Sequence, residues 1–326
     1  MGDPRTILWC LIALSCGGQA PNATGRNETA EAGAPAAGPS SANSESRQVP
    51  TRTEIHNVDL RLMEGAILHV EHLVGQATSS RPGEPVGLDD KLSYKIVVEG
   101  AEMSVGYADM SQVMNEYTFA FDGAPVKGLE LAQEEDADER DEVELKGRLR
   151  KGLHLPFEIE GRPEVTPDGR IRIRTTSIQA LDLQVGGLMH ALGLEPKDLL
   201  GNLEERGLGF AGDDLILDAS RAFPPPRIAG RVTVVRVGEN GLSLSLGSGN
   251  SRSTSGRSNY LWFRKGIIKI GKMTQTDADL WIVDQDPKDP LDFYPDSMTR
   301  QLEAGYAKIE KSGGLTLYVP DYGDIH

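Results

Sequence analysis

Residues able to do covalent chemistry are few in this chain. Its 326 residues include two cysteines, Cys10 and Cys16, and six scattered histidines. Because both thiols lie near the N-terminus, the rest of the chain has no cysteine nucleophile, disulfide or cysteine-ligated zinc ion. No Gly-x-Ser-x-Gly motif occurs, which excludes the nucleophile elbow of the α/β-hydrolases. We therefore expect a protein with neither enzymatic activity nor a cofactor.

Three short motifs resemble metal or nucleotide sites, and a purely structural interpretation is favoured for each of them. His69 and His72 point to opposite faces if they lie on a strand, so they are poor joint metal ligands. Residues 266–273 have the P-loop spacing, but Met273 stands where a hydroxyl must reach magnesium, and the preceding isoleucines indicate a strand. Residues 284–290 cluster three aspartates, and a polar turn is favoured over the alternative of a calcium loop. We expect no metal site.

Apolar stripes at helical spacing are the stronger binding candidates. Over residues 107–117 apolar side chains recur every three or four positions, which predicts a helix with Asp109 and Gln112 as its capping pair. A leucine-rich helix is predicted over 186–205 and a third helix over 297–309. Methionines on such a stripe suit an adaptable groove for lipid or peptide, and a packed core is the alternative.

The elements that must position these helices are mainly β-strands. Apolar and polar residues alternate repeatedly, and long antiparallel strands with few helices indicate an α+β, sheet-dominated fold. A Gly/Ser/Arg run at 247–258 separates a β-rich domain, 51–247, from a C-terminal α/β extension, 259–326, that packs on it. The acidic run 134–142 is predicted to be a solvated loop between two strands. The predicted strands lie within 58–62, 68–74, 91–106, 142–160 (two strands), 170–175 and the hairpin 231–246.

Charge and composition limit the partners. The chain has 49 acidic and 34 basic residues, a net charge of -15 and a pI near 4.9. Nucleic acid is excluded as a partner because phosphates are neutralised by clustered lysine and arginine. Broad adsorption to anionic headgroups is disfavoured for the same reason. With 38% hydrophobic residues, the chain can still form a substantial core in one large or two modest domains.

The N-terminus has the pattern of an export signal. The apolar run Ile7–Leu14 is too short to span a bilayer as a helix. Ala13–Gly17 resembles a bacterial lipobox, which predicts a signal peptide over 1–16 and lipidation of Cys16; secretion after cleavage at Ala20 and an uncleaved anchor are the alternatives. Residues 17–50 are polar and Gly/Pro/Ser-rich, which indicates a disordered linker. These features place the folded domain in a bacterial cell envelope, lipid-anchored, with the outer membrane preferred because Gly17 follows the cysteine.

Several short blocks of the β-rich part follow one another in a characteristic order. They are His154-Leu-Pro-Phe157, Pro167-Asp-Gly-Arg-Ile-Arg172, Leu183-Gln-Val-Gly-Gly-Leu188, Gly207–Asp218, Pro224–Val232 and the hairpin ending at Gly247. With these blocks, residues 53–247 resemble the LmeA-like phospholipid-binding family, which is itself similar to the tubular lipid-binding (BPI-like) proteins. The resemblance does not extend to residues 258–326. It implies long antiparallel strands in a curled sheet wrapped on amphipathic helices, with an apolar tunnel or groove for acyl chains and no catalytic residue.

The sequence thus predicts an envelope lipoprotein that binds or shuttles phospholipid or another amphiphile without enzymatic chemistry. Its partners would be that amphiphile, the membrane through the N-terminal lipid anchor, and an envelope protein. One alternative is a scaffold or interaction protein that docks through strand edges or the acidic loop, and another is an exported hydrolase using paired carboxylates. The candidate lipid-lining residues are Met110, Val113, Met114, Tyr117, Leu188, Met189, Leu192, Leu199, Leu200 and Leu203.

Overall fold

Long and mostly antiparallel β-strands dominate this protein. The computed structural model describes residues 49–134, 141–150, 155–180, 203–248 and 255–325. The predicted signal peptide, almost all of the predicted linker and most of the predicted leucine-rich helix lie outside these residues. Residues 47–326 form one compact unit, so the two predicted segments 51–247 and 259–326 belong together.

The described residues contain twenty strands and a few short helices. The helical segments are α1 (Tyr107–Val113), a π-helical turn (Met114–Thr118), α2 (Ala219–Ala222), α3 (Met298–Ala304) and 3-10 turns at Pro295–Ser297 and Tyr322–Asp324. The strands are β1 (Thr51–Met63), β2 (Ala66–Ser79), β3 (Val86–Gly87), β4 (Tyr94–Gly106), β5 (Val126–Gln133), β6 (Val143–Leu149), β7 (Pro156–Val165), β8 (Ile171–Ala180), β9 (Leu208–Ala211), β10 (Asp214–Leu217), β11 (Arg227–Ala229), β12 (Val232–Gly238), β13 (Gly241–Gly247), β14 (Tyr260–Arg264), β15 (Ile267–Ile270), β16 (Met273–Thr276), β17 (Asp279–Asp284), β18 (Leu291–Phe293), β19 (Tyr306–Ile309) and β20 (Leu315–Val319).

These strands form three sheets. The largest has eleven strands in the order β12-β13-β4-β2-β1-β14-β17-β20-β19, with β11 beside β4 and β18 beside β1. A six-stranded sheet runs β5-β6-β7-β8-β10-β9, and a small one runs β16-β15-β3. The fold is therefore β-rich with a curled, half-barrel sheet, as predicted at this coarse level.

Local irregularities bend the long strands of the large sheet. The β2–β4 register shifts between Val70 and His72 and again between Val74 and Gly75. At the second shift the two backbones come so close that a Cβ on Gly75 would lie 2.4 Å from the carbonyl oxygen of Val97. An extra residue in one strand of an antiparallel pair increases the local twist, which is how such bulges curl a sheet.

The C-terminal residues complete the large sheet. Strand β14 pairs with β1 from Arg52↔Arg264 to His56↔Tyr260, and β17 and β20 follow in the same sheet. One continuous hydrophobic core accordingly includes Ile55 and Val319, which come from opposite ends of the described chain. The strands that precede residue 247 and those that follow residue 258 thus belong to a single sheet.

Three local predictions are corrected. The helix predicted over 297–309 ends at Ala304, and Tyr306 to Ile309 form β19, because Gly305 lies against β20, where a Cβ would meet the carbonyl oxygen of Tyr318. The carboxylate of Asp109 does not cap α1 but accepts a 2.8 Å hydrogen bond from the backbone N–H of Ile67.

The third correction concerns the acidic run. Glu142 is buried rather than solvated, and its carboxylate accepts hydrogen bonds from Arg162 at 3.1 Å and Thr176 at 2.6 Å. Residues 135–140 of the run lie outside the described residues. Arg162 lies on β7 and Thr176 on β8. The burial of the Glu142 carboxylate therefore depends on how these strands pair with β6 and with each other, which the local sequence does not show.

Candidate functional site

The six-stranded sheet has one apolar face and one charged face. Side chains alternate along a strand, so the apolar residues of β6, β7 and β8 all point to the same side. On the opposite side Arg172 pairs with Asp214, and Lys146 pairs with Glu144 at 2.6 Å. The apolar side, called the inner face below, includes Val143, Leu145, Phe157, Ile159, Ile171 and Ile173.

The inner face is covered by two other parts of the molecule. The large sheet contributes Val105 from β4 and its cross-strand partner Leu242 from β13. Helix α1 and the π-helical turn contribute Met110 and Met114. Because all three surfaces are apolar, water is a poor filler of any space left between them.

An apolar cavity lies where these surfaces meet. Its volume is about 120 Å³. Among the described residues of its wall, the only polar side chains are Thr118 and Thr175, and none is charged. Such a wall can hold a hydrocarbon chain by shape and dispersion, but it offers few groups to orient a polar molecule.

Four of the predicted lining residues are on the cavity wall: Met110, Val113, Met114 and Leu203. Tyr117 is not among the described wall residues. The backbone N–H of Phe119 bonds to the carbonyl of Met114 at 2.9 Å, a π-type spacing that changes the rotational phase of the residues after Met114. The predicted residues Leu188, Met189, Leu192, Leu199 and Leu200 lie outside the described residues. That any of these side chains binds lipid stays a prediction.

Most of the cavity wall was not predicted as a site. Strands β6, β7 and β8 supply much of it, together with Phe210 from β9 and Leu215 from β10. The alternation in residues 142–160 predicts strands and marks their apolar face, but not what that face meets. The missing information is the position of one sheet over another.

An arginine outside the cavity wall contacts the π-helical turn. Arg206 lies between the wall residues Leu203 and Leu208 in sequence, and its guanidinium donates a hydrogen bond to the carbonyl oxygen of Tyr117. The guanidinium carbon lies 5.5 Å from the ring centroids of both Tyr117 and Phe121. The two rings hold the cation by its attraction to aromatic faces.

A carboxylate cluster forms elsewhere in the protein. Oxygen atoms of Asp284, Asp289 and Asp321 lie within 4.8 Å of one another. Burial raises the pKa of Asp321 to about 6, and it also raises the pKa of Asp284. Asn259 donates to Asp284 at 3.0 Å, and the backbone N–H of Asp292 donates to Asp321 at 2.7 Å. Asp284 and Asp289 belong to the predicted polar turn and Asp321 joins them from another part of the chain, so the preference for a polar turn over a calcium loop stays a prediction.

His69 and the P-loop-like stretch lie mainly on strands and form ordinary hydrogen bonds. His69 lies 2.6 Å from a carboxylate oxygen of Asp59, and this hydrogen bond raises its pKa. The P-loop-like stretch contains strand β15, as its isoleucines predicted, and Met273 begins β16. Neither arrangement brings together groups that hold a phosphate or a metal ion.

Comparison of this chain with protein-family models, with curated proteins and with solved structures finds no match. The resemblance to the LmeA-like family therefore stays an expectation drawn from the residue blocks alone. No helix in the part of the chain that the structure describes has both the length and the apolar character needed to cross a bilayer.

Proposed function

We propose that this protein binds an amphiphile, such as a phospholipid, with an acyl chain inserted into the apolar cavity. The observation that supports this is the unfilled space between two otherwise well-packed apolar surfaces. Protein interiors are normally packed as densely as organic crystals, so an apolar void between elements is unusual. A cavity kept for a ligand is one physical reason for it.

The energy of the void favours filling it. At about 24 cal/mol per Å³, leaving 120 Å³ empty costs on the order of 3 kcal/mol. Each acyl CH₂ taken from water into such a site contributes about 0.8 kcal/mol. A cavity of about 150 Å³ accepts a molecule the size of benzene, so this one accommodates a segment of a chain as it stands.

A longer acyl chain requires the wall to move, and part of the wall is suited to moving. Met110 and Met114 are half-buried, and both lie on the short helical segment that covers the inner face. Methionine is unbranched and polarisable, so it fits ligands of irregular shape at little cost in strain. The strands opposite are held by ladders of hydrogen bonds, with one register shift between Glu160 and Gly161, and provide the more rigid side.

The cellular role follows from this binding mode together with the lipobox-like N-terminus. An acyl chain held in a cavity is shielded from water, which is what a carrier between membranes must provide. The predicted lipid anchor and linker would keep such a carrier near a bilayer while its domain ranges away from the surface. On this proposal the protein is a non-enzymatic lipid-binding lipoprotein of the cell envelope.

The test is native mass spectrometry of the purified chain, followed by solvent extraction of bound molecules. A stoichiometric amphiphile is the expected result. The variant Met114→Glu introduces a charge into the cavity wall and should retain less than about a tenth of the lipid, because a buried charge repels an acyl chain. The control is Ala108→Glu, which places the same charge on the exposed side of α1.

Two outcomes would contradict the proposal. One is an apo mass that persists after incubation with vesicles of phosphatidylethanolamine and phosphatidylglycerol. The other is loss of cooperative unfolding in Met114→Glu but not in Ala108→Glu, which would make Met114 a plain core residue. Circular dichroism during heating distinguishes this second outcome from loss of lipid alone.

A second candidate function, an interaction protein, is favoured by the free edge of the large sheet. All four residues of β19 are exposed, with Tyr306 at 58% and Ile309 at 78%. An edge strand presents unpaired backbone groups that can pair with another strand. Sedimentation over a range of concentrations tests whether this edge joins two copies of the chain; a monomer throughout would leave the cavity as the functional site.

A further inference from the structure

We propose that His56 and His72 bind a divalent transition-metal ion on the outer face of the large sheet, with Glu102 as the third protein ligand. The outer face is the side of this sheet that points away from the apolar cavity. Leu244 lines the cavity, and its neighbour Ser245, which projects to the other side, is the cross-strand partner of Glu102. The inference is therefore independent of the proposed lipid binding.

Strand pairing brings the three residues into one row. His56 of β1 is the direct cross-strand partner of His72 of β2, and His72 is in turn the partner of Glu102 of β4. Directly opposed residues project from the same face of a sheet, with Cβ atoms about 4.5–5.5 Å apart. Rotation of these side chains can therefore bring two imidazoles and a carboxylate onto one ion, which zinc binds at about 2.0–2.2 Å.

An irregularity in β2 puts His72 on the outer face. Val70 and Leu73 are both fully buried in the core, although they are three residues apart. Strict alternation would place residues three apart on opposite faces, so the strand changes phase between them, where its pairing with β4 also shifts register. His72 consequently shares the outer face with His69, whereas unbroken alternation predicted opposite faces.

Each histidine of the pair has a buried ring nitrogen without a partner. Among the described residues, nothing forms a hydrogen bond with Nδ1 of His56 or with Nε2 of His72. Buried polar atoms are normally satisfied, so two unsatisfied nitrogens on directly opposed residues require an explanation. A metal ion supplies one, because the neutral imidazole nitrogen is the most common metal ligand in proteins. Both residues are half-buried, which leaves an ion a path from solvent.

Neighbouring side chains orient two of the three ligands. The ring of Tyr260 stacks on that of His56, with centroids 5.7 Å apart and 9° between the planes. Ser245 donates a 2.7 Å hydrogen bond to one carboxylate oxygen of Glu102, which leaves the other oxygen for the ion. Contacts of this kind fix the direction of a ligand and strengthen a metal site.

The ligand set specifies the class of metal. Imidazole nitrogens suit zinc, copper and nickel, whereas magnesium and calcium take oxygen ligands. Three protein ligands leave a zinc ion one position for water. The probe for the test is therefore Zn²⁺ added as its chloride.

The test is isothermal titration calorimetry of the full chain, purified without a polyhistidine tag. The wild type should bind one zinc ion at this site. His72→Asn and His56→Gln should each weaken the binding about tenfold or more, and Glu102→Gln should weaken it less. Circular dichroism during heating gives a second readout: zinc should raise the Tm of the wild type, and this shift should be lost in the two histidine variants.

The matched control is His69→Asn, which removes an imidazole from the same strand and face. Nδ1 of His69 already bonds to Asp59 at 2.6 Å, so this variant should bind zinc as the wild type does. Asp284→Asn, which disrupts the separate carboxylate cluster, should also leave the affinity unchanged.

Three results would overturn the proposed metal site. They are no zinc binding by the wild type at about 100 µM, unchanged affinity in the two variants of the histidine pair, and an equal loss of affinity in His69→Asn. A variant that does not unfold cooperatively is replaced by the other variants of the row, each of which removes one proposed ligand. None of these results bears on lipid binding, because the cavity lies on the opposite side of the sheet.

Discussion

Apolar side chains pack differently in two regions of the protein. Around the six-stranded sheet, apolar faces approach one another and leave a cavity of about 120 Å³. Around β14 and β17, Trp262 and Trp281 stack on one side of the large sheet, with ring centroids 4.0 Å apart. Arg264 lies 3.6 Å from the ring centroid of Trp262, and Arg257 lies 4.6 Å from that of Trp281. Both regions are β-structure with apolar strands, so the difference lies in side-chain volume.

The apolar cavity is confined to the interface between the six-stranded sheet and the parts of the molecule that cover its inner face. Trp262 and Trp281 stack on each other and contact Tyr260 and two guanidinium groups, and the grooves beside them are open to solvent and bordered by polar residues such as Asp279 and Ser312. The inner face of the six-stranded sheet is made largely of aliphatic residues, which cannot reach across the gap. A region that must admit a hydrocarbon is expected to be the less completely filled one.

The largest expected effect comes from truncating one residue in each region. Trp281→Ala should destabilise the protein by about 3–5 kcal/mol, because it removes the centre of a filled stack. Leu145→Ala should cost less, about 1–2 kcal/mol, since this half-buried side chain already borders empty space. Urea unfolding measured by circular dichroism gives both free energies. Equal costs would show that the two regions are packed alike.

Substitutions that add side-chain volume test the same difference in packing between the two regions. Leu145→Phe adds volume to the cavity and should change stability by less than about 1 kcal/mol while weakening lipid binding. Val283→Phe adds volume beside Tyr260 and Trp281 and should cost about 1–3 kcal/mol, because Val283 is already buried against these two rings. Thermal unfolding and fluorophore displacement are the measurements. Comparable destabilisation by both variants would mean that the cavity does not accept a larger side chain.

A smaller effect on stability is expected at the carboxylate cluster of Asp284, Asp289 and Asp321. Burial raises the pKa of Asp321 from its ordinary 3.8 to about 6, so the folded protein favours its protonated form. The stability that this group contributes is complete below about pH 4 and is lost as the pH rises through about 6. Asp321→Asn should therefore stabilise the protein at neutral pH by up to about 1 kcal/mol, after allowance for the partial exposure of this side chain.

The stability gain of Asp321→Asn is measured by urea unfolding curves at a series of pH values between acidic and neutral. The gain from Asp321→Asn should vanish at the acidic end, where the wild-type carboxyl is already protonated. Asparagine keeps an oxygen that can accept from the backbone N–H of Asp292, so the turn itself is retained. A gain that is independent of pH would contradict the assigned cause.

Short-range patterns predicted much of the local structure. The alternation before and after Glu64-Gly65 predicts the β1–β2 hairpin, and Gly65 has the φ of +75° that the turn requires. The methionine stripe placed Met110 and Met114 on what became the cavity wall. Tyr117 was separated from them by the π-helical turn, a change of phase that a fixed helical period does not contain.

Contacts between distant residues could not be predicted in the same way. Asp321 joins Asp284 and Asp289 only because β17 and β20 are parallel neighbours. Arg206 meets Tyr117 across a sequence separation of 89 residues, and nothing in the local pattern of either segment indicates the other. Each contact depends on strand order, which many sequences with the same alternation could arrange differently.

The sequence by itself determined that the chain forms strands with one apolar side and that no thiol follows Cys16. These follow from side-chain period and residue type, which act within a few neighbouring positions. Only the tertiary structure decided which apolar faces meet and how much space remains between them. Packing is a collective property, since the volume left by one side chain depends on every other side chain that shares the interior.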